Sequence, residues 1–336
     1  VSASWASLAA NIAGVKLVRH AIITYNGTWG AGLVQYPSDV VNGLAQYVDD
    51  TLCEEVPCPY PATFGFIGGA ANAPSYQQSI ADGFEWTGNW LAGNPNRTWG
   101  VWGYSQGGEL AAMVQMALAP GGQLEPYAEN FIGGGTFGNP RRMAGAAAPG
   151  IGNPGPGWRG ISNVNMPSLP TIGAQTVWAD YFHSKAGGDP GNDMYPMVPV
   201  GAVGKIMTDV YTTATQAQMN NGVLFLQDMV KDLEQIVADS GLLKGLAGGM
   251  QGLLDMGVMA GISFLTDLIG VSDLSTATGV DADVAAAVLG LQFLAAPGGP
   301  TAPHISYLGE IPGYRNLVGD AVGFLQFIAT LTPARA

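Results

Sequence analysis

Gly103-Tyr104-Ser105-Gln106-Gly107 has the form G-x-S-x-G. It stands between an apolar run, Trp99–Tyr104, and a helical pattern through Leu110, Ala111, Ala112, Met113, Met116, Ala117 and Leu118. Strand, sharp turn and helix in that order form a nucleophile elbow, which lifts a serine hydroxyl above a sheet edge at a helix N-terminus. Developing negative charge is favoured there by the helix dipole and by unpaired N–H groups. The flanking glycines keep Cβ atoms out of the tight turn. A serine hydroxyl is a poor nucleophile until a base takes its proton, and imidazole, ionising near neutral pH, suits that task.

The chain has three histidines: His20, His183 and His304. His20 falls in an early strand and is expected to be packed or to support the site from behind. His183 follows a later strand end and could line the site. His304 alone comes after both the serine and the candidate acids, in the order Ser…Asp…His, and is the expected base. A buried carboxylate must hold that imidazole in one tautomer and stabilise its positive charge. Asp193, before Met194-Tyr195, is the first choice and Asp189, before Pro190, the second; Asp180 lies inside the preceding strand. Backbone N–H groups of Thr28 and Gln106 are expected to meet the oxyanion, each worth roughly 10²–10³-fold in rate. Gly27-Thr28 follows the first strand, where such a donor belongs, although Asn26-Gly27 alone reads as a plain turn.

These side chains need elements to hold them. Val18–Tyr25 reads as a buried strand, and Ser38-Asp39 cap a helix through Val40, Val41, Leu44, Ala45 and Val48. Pro61–Ile67 is either a second strand or an extended loop at the site. Pro74-Ser75 open a helix with apolar positions at Ile80, Phe84, Trp86, Trp90 and Leu91, stopped by Gly93-Asn94-Pro95. Tyr127–Ile132 is a further strand candidate, with Gly133–Arg142 leading away from it. Thr176–Phe182 is the next strand and delivers the loop carrying Asp189 and Asp193. Strands alternating with helices predict a mostly parallel sheet flanked by helices on both faces. Residues 143–171, rich in Gly, Pro, Ala and Asn, form a loop too long for an ordinary connection.

From about Gly201 to Leu294 the pattern turns helical, with apolar positions such as Val223, Leu226, Met229, Leu233, Leu246, Met250, Leu254 and Leu265. This predicts a helical insertion over 201–295, between core segments 1–200 and 296–336. Its Met- and Leu-rich face is either the insertion's own core or one wall of a groove for a long apolar chain. A short helical pattern (Trp5, Leu8, Ala9, Ile12) opens the chain, and a helix over Leu317–Leu331 closes it.

Of the 336 residues, 47% are apolar and 11% charged, ample for a large core under a sparingly charged surface. Twelve basic against 25 acidic residues leave a net charge of −13. That balance argues against nucleic acid or an anionic membrane surface as the main partner. Cys53 and Cys58 could close a small disulfide loop or stay free. With no accompanying histidine or second cysteine pair, they do not suggest a metal site. Leu242–Val271 is the most apolar long stretch, but Lys244, Asp255 and Asp267 interrupt it, so no transmembrane span is expected. Val1–Trp5 lacks a basic segment followed by an apolar one, and no secretory signal is expected. Oligomeric state is left open.

Tyr25-Asn26-Gly27-Thr28-Trp29, Tyr60-Pro61-Ala62, Gly103-Tyr104-Ser105-Gln106-Gly107, Phe137-Gly138-Asn139-Pro140-Arg141, Asn192-Asp193-Met194-Tyr195 and His304-Ile305-Ser306-Tyr307 occur in that order. Through them the chain resembles the lysin B proteins of mycobacteriophages, relatives of cutinases, over residues 25–307. The PE-PPE hydrolase domains of mycobacteria share the Gly-Tyr-Ser-Gln-Gly elbow. The lysin B resemblance implies a cutinase-like α/β-hydrolase and a serine esterase cleaving the ester between mycolic acids and arabinogalactan. Such an enzyme needs no metal or organic cofactor. It would be phage-encoded and act on the host envelope, free or as a virion component. Matching motif to motif, the resemblance makes Ser105 the nucleophile, Asp193 the acid and His304 the base. It also gives the helical segment between acid and histidine, here longer than the resemblance leads one to expect, a part in substrate binding. The rival readings are a generic cutinase, lipase or PE-PPE-type esterase, and a non-catalytic virion or wall-binding protein that keeps the fold.

Overall fold

The structure is a computed structural model that describes residues 17–65, 70, 72–216, 273–299 and 301–336. Its strands show the two-residue period of a sheet buried on both faces. In β1 (His20–Tyr25), Ala21, Ile23 and Tyr25 enter one core and Ile22 the other. The pattern recurs in β3 (Trp99–Tyr104), where Trp99 and Val101 oppose Trp102 and Tyr104. With β2 (Cys53–Pro57), β4 (Phe131–Phe137) and β5 (Trp178–Tyr181) they form a sheet ordered β2-β1-β3-β4-β5, every neighbouring pair parallel.

The longer helices are α1 (Tyr36–Tyr47), α2 (Tyr76–Gly93), α3 (Gln106–Met116), α4 (Ala202–Gln216), α5 (Val280–Leu294) and α6 (Leu317–Ala329). α1 and α6 set Val40, Leu44, Leu317, Leu325 and Ile328 against Ile22 and Trp102. α2 and α3 set Ile80, Leu91, Leu110 and Val114 against Ile23 and Val101 on the other face. α4 and α5 pack on each other, and α4 also reaches α2. Every strand of a parallel sheet ends on the same side, so the loops after β1, β3, β4 and β5 gather at one edge. The elbow stands there.

Several boundaries differ from those the sequence predicts. The second strand is Cys53–Pro57 rather than Pro61–Ile67. It is an edge strand with half-buried Glu54 and Glu55, so no apolar run marks it. Residues 61–65 are the extended loop, and Phe66 and Ile67 lie outside the described residues. Tyr127 belongs to a 3₁₀ turn (Glu125–Asn130), and β4 runs on through Gly133, Gly134 and Gly135. Those glycines hide the strand from an apolar-run reading, yet Gly135 lets the Trp102 ring lie over the sheet. α1 starts at Tyr36, not after Ser38-Asp39, because Pro37 is tolerated in a first turn. Ser38 instead donates to Glu55.

The long loop carries two small pairings, Trp158–Arg159 with Val198–Pro199 and Thr171–Ile172 with Gln175–Thr176. Cys53 and Cys58 are free, and burial pushes both thiols up to about 12. The chain between them is extended, and five residues at ~3.3 Å each exceed the ~7 Å Cα limit of a disulfide. The expected helix over residues 5–12, the apolar positions 223–265 and the stretch Leu242–Val271 all lie outside the described residues. Among the described residues, no helix is long and apolar enough to cross a membrane.

Candidate active site

β3 stops at Tyr104 and α3 starts at Gln106, leaving Ser105 to make the whole turn at φ 55°, ψ −116°. A non-glycine residue held there costs on the order of 1–3 kcal/mol, and two backbone bonds sustain it. Ser105 N–H donates to Phe137 O at 2.8 Å, and Glu109 N–H donates to Ser105 O at 3.0 Å. Gly107 allows α3 to cross the end of β1: a Cβ there would lie 2.2 Å from Tyr25 O and 2.5 Å from Asn26 O. Both obstacles are backbone and cannot swing aside. Gly107→Ala is therefore expected to cost about 1–3 kcal/mol of stability and to displace Ser105. Thermal unfolding measures the first effect; an unchanged melting temperature would refute this account of the packing.

His304 ends a short 3₁₀ turn (Ala302–His304) and reaches back to the elbow. Its Nε2 lies 2.8 Å from Ser105 Oγ, and its Nδ1 lies 2.8 Å from Asp193 Oδ2. Asp193 is fully buried. Its Oδ2 also accepts from the Tyr307 hydroxyl, and its Oδ1 accepts from Tyr195 N–H at 3.1 Å. Burial first, and then the Asp193 charge, push the Tyr307 phenol well above its ordinary range, so it stays a donor at neutral pH. The Tyr195 ring lies 4.4 Å from the imidazole, and Tyr104 O–H donates to His304 O at 2.9 Å. Beneath the ring is Gly138 at φ +62°, where a Cβ would stand 2.6 Å from His304 Cε1 and 3.1 Å from Asp193 Oδ2.

The other acids and histidines go elsewhere. Asp189 accepts from Ser184 N–H at 3.0 Å and from Arg315 Nε and Nη2 at 3.3 Å. His183 Nδ1 comes within 3.1 Å of it, a contact too poorly aligned for a good hydrogen bond. The His183 ring stacks on Tyr307, behind the imidazole rather than beside the serine. Asp180 receives Thr136 O–H and Asn139 N–H, fastening the end of β4. His20 lies between Thr98 Oγ1 and Ala329 O, and burial lowers its basicity.

Burial alone would raise the Asp189 carboxyl; His183, Arg315 and the Ser184 N–H outweigh it and hold the group at about 2. A carboxyl held below its unfolded value stabilises the fold above that value and loses the contribution as pH falls through it. Asp189→Asn is thus expected to destabilise the protein by about 3 kcal/mol at pH 7. The gap to wild type should close between roughly pH 4 and pH 2. Chemical denaturation across that range measures it, and a pH-independent difference would contradict the ion-pair account.

Thr28 and Ser105 line one cavity of about 390 Å³, walled also by Phe64, Tyr76, Tyr195, Tyr211 and Ala214. The backbone at Gly27 is so near the elbow that a Cβ there would be 3.2 Å from Ser105 Cβ. Asn26 Nδ2 holds this loop by donating to Gly30 O and Leu33 O, and Tyr60 O–H donates to Asn26 O. Gln106 turns its side chain away to Thr63 O, leaving its N–H as the first of the helix. The first N–H groups of a helix have no intrahelical acceptor.

Sequence reasoning missed Glu109. It is buried and accepts from Tyr211 O–H at 2.6 Å, Tyr76 O–H at 3.0 Å and Arg141 Nε at 3.0 Å. This joins α2, α3, α4 and the segment after β4 at one carboxylate. A glutamate one helical turn after the elbow serine, on a face otherwise apolar, was the available signal. Tyr307 was legible only as the third residue after His304, with nothing in its spacing to say that it faces Asp193. Chemically, a hydroxyl, an imidazole and a buried carboxylate in one hydrogen-bonded line can activate the hydroxyl for attack on a carbonyl.

No family model matches the sequence, and no curated protein matches it. Among solved structures the chain is similar to lysin B from Mycobacteriophage D29, at 18% identity and a TM-score of 0.50, over 92% of this chain and 99% of that one. It is also similar to the catalytic core domain of acetyl xylan esterase from Trichoderma reesei (15% identity, TM-score 0.40, 60% of this chain and 98% of that one). A cutinase-like protein from Cryptococcus sp. follows (20%, 0.35, 52% and 79%). The likeness to lysin B shows that the chain has an α/β-hydrolase fold.

Proposed function

We propose that this chain is a serine esterase working through Ser105, His304 and Asp193, with the ester between mycolic acids and arabinogalactan as its substrate. The observation that carries the reading is the line of 2.8 Å contacts from Ser105 Oγ through both nitrogens of His304 to Asp193. That line stands on the wall of an aromatic-lined cavity. The finer substrate assignment draws on the motif resemblance to lysin B and on the shared fold. It carries with it a phage-encoded protein acting on the host envelope. Residues 201–295 are read as an insertion in the hydrolase core that supplies α4 to the substrate wall.

In this reading, His304 Nε2 takes the Ser105 proton as Oγ attacks the ester carbonyl. Asp193, its carboxylate held in place by the Tyr307 hydroxyl, keeps the other nitrogen protonated and offsets the imidazolium charge. The oxyanion faces the N–H groups of Gln106 and Thr28, with the N-terminus of α3 behind them. The imidazolium hands its proton to the departing sugar oxygen. Water, deprotonated by the same base, then releases the acid.

The test is a side-by-side assay of short-chain p-nitrophenyl esters, long-chain esters and mycolylarabinogalactan, with a fluorophosphonate to label the serine. Release of mycolic acid in preference to the other acids, with the label on Ser105, is the expected result. Turnover without preference for the wall polymer would favour a generic cutinase- or lipase-type esterase. Binding to walls with neither turnover nor label would favour the non-catalytic reading.

A further inference from the structure

We propose that the 390 Å³ cavity beside Ser105 takes about the first dozen carbons of the acyl chain, with Tyr211, Ala214 and Thr215 of α4 as the gauge of that length. This rests on the esterase reading above and adds which part of the ester enters the cavity and how much of it.

Most of the cavity wall is apolar, because three of its tyrosines point their hydroxyls elsewhere; Thr28, Gln35, Thr215 and Thr301 add polar atoms at other points of it. Tyr76 and Tyr211 donate to Glu109, and Tyr104 donates to His304 O. What they present to the cavity is ring surface, which would leave a sugar's hydroxyls unpaired and suits methylenes. At ~30 Å³ for each water-sized group, the volume holds about a dozen chain carbons. Arg141 and Glu109 brace Tyr211 from behind, so α4 is fixed as a wall. Along that helix, Tyr211, Ala214 and Thr215 are spaced to fall on one face. Tyr211 packs edge-on to Tyr195, and Tyr195 packs on His304. Ala214 and Thr215 follow about one turn further along, ~5 Å away. Both are buried, and the methyl group at Ala214 leaves open the volume a larger side chain would occupy.

The measurement is kcat/KM for a series of straight-chain p-nitrophenyl esters from acetyl to palmitoyl, below their micelle concentrations, for wild type and Ala214→Trp. Wild type is expected to gain about fourfold per added methylene up to about ten or twelve carbons and then level off, because further carbons lie outside the cavity. Ala214→Trp is expected to level off several carbons earlier, with the decanoyl-to-butyryl ratio down at least tenfold. If the indole prevents folding, Ala214→Leu gives the same direction with a smaller shift, and the wild-type profile stands by itself. A wild-type profile that is flat, or that climbs undiminished to palmitoyl, overturns the proposal. So does an Ala214 variant that folds, labels at Ser105 and keeps the wild-type profile. If wild type hydrolyses no ester and takes no fluorophosphonate, the esterase reading has failed; turnover without the break in the series removes only the cavity assignment.

Discussion

Ser105→Ala is expected to lower kcat for ester hydrolysis by about 10⁶-fold, the loss that follows removal of the nucleophile from a hydroxyl–imidazole pair. The fold should not notice. The bonds that hold the turn use Ser105 N–H and Ser105 C=O, to Phe137 and Glu109, and alanine keeps both. Alanine at φ 55° is no more strained than serine, since both carry one Cβ. The hydroxyl's removed partner, His304 Nε2, borders the cavity, so water can replace it. Kinetics on a soluble ester and a thermal melt together make the test. A folded variant retaining a hundredth of the wild-type rate would put the chemistry somewhere other than this serine.

Asp193→Asn is expected to cost about 10⁴-fold in kcat while leaving KM nearly unchanged. The amide has the carboxylate's shape but one donor too many. If its oxygen faces His304 Nδ1 and Tyr307 O–H, its NH₂ confronts the Tyr195 N–H. If it flips, NH₂ meets the Tyr307 hydroxyl and drives the imidazole toward the wrong tautomer. Either way the nitrogen near Ser105 is no longer a dependable base. Asp189→Asn gives the contrast, because its partners are Arg315, His183 and Ser184 rather than His304. It should lose stability and keep most of its turnover per folded molecule. Melting temperature and kcat measured on both variants separate the two roles. Exchanged outcomes would assign the acid to Asp189.

Much of this site was legible before any coordinates. Gly-Tyr-Ser-Gln-Gly between a strand and a helix implies its own geometry, because a Cβ at Gly103 would lie 2.1 Å from Gly107 O, a collision within the elbow itself. His304 could be picked because there were so few histidines and the chain order admitted one. Choosing between Asp189 and Asp193 could not be done from spacing: both sit on the loop after β5, and the three residues between them say nothing of which way each carboxylate turns. Asp193 faces His304 because the His183 carbonyl ties down its N–H and Tyr307 draws its oxygen. β2 and the glycine stretch of β4, beyond Ile132, could not be read as strand for a related reason. An edge strand and a side-chain-free strand are recognised by their neighbours' hydrogen bonds, not by their own hydrophobicity.

The sequence by itself determined the alternation of strands and helices, the serine at the sharp turn and which of three histidines could face it. These follow from periodicity and from steric limits among residues close in the chain. Tertiary structure alone decided that a carboxylate 111 residues before His304 and a hydroxyl 199 residues before it meet one imidazole. It alone placed Glu109 under two tyrosines from different helices. Those partnerships depend on where parallel strand ends deliver their loops, and no local pattern of residues encodes a distance across the sheet.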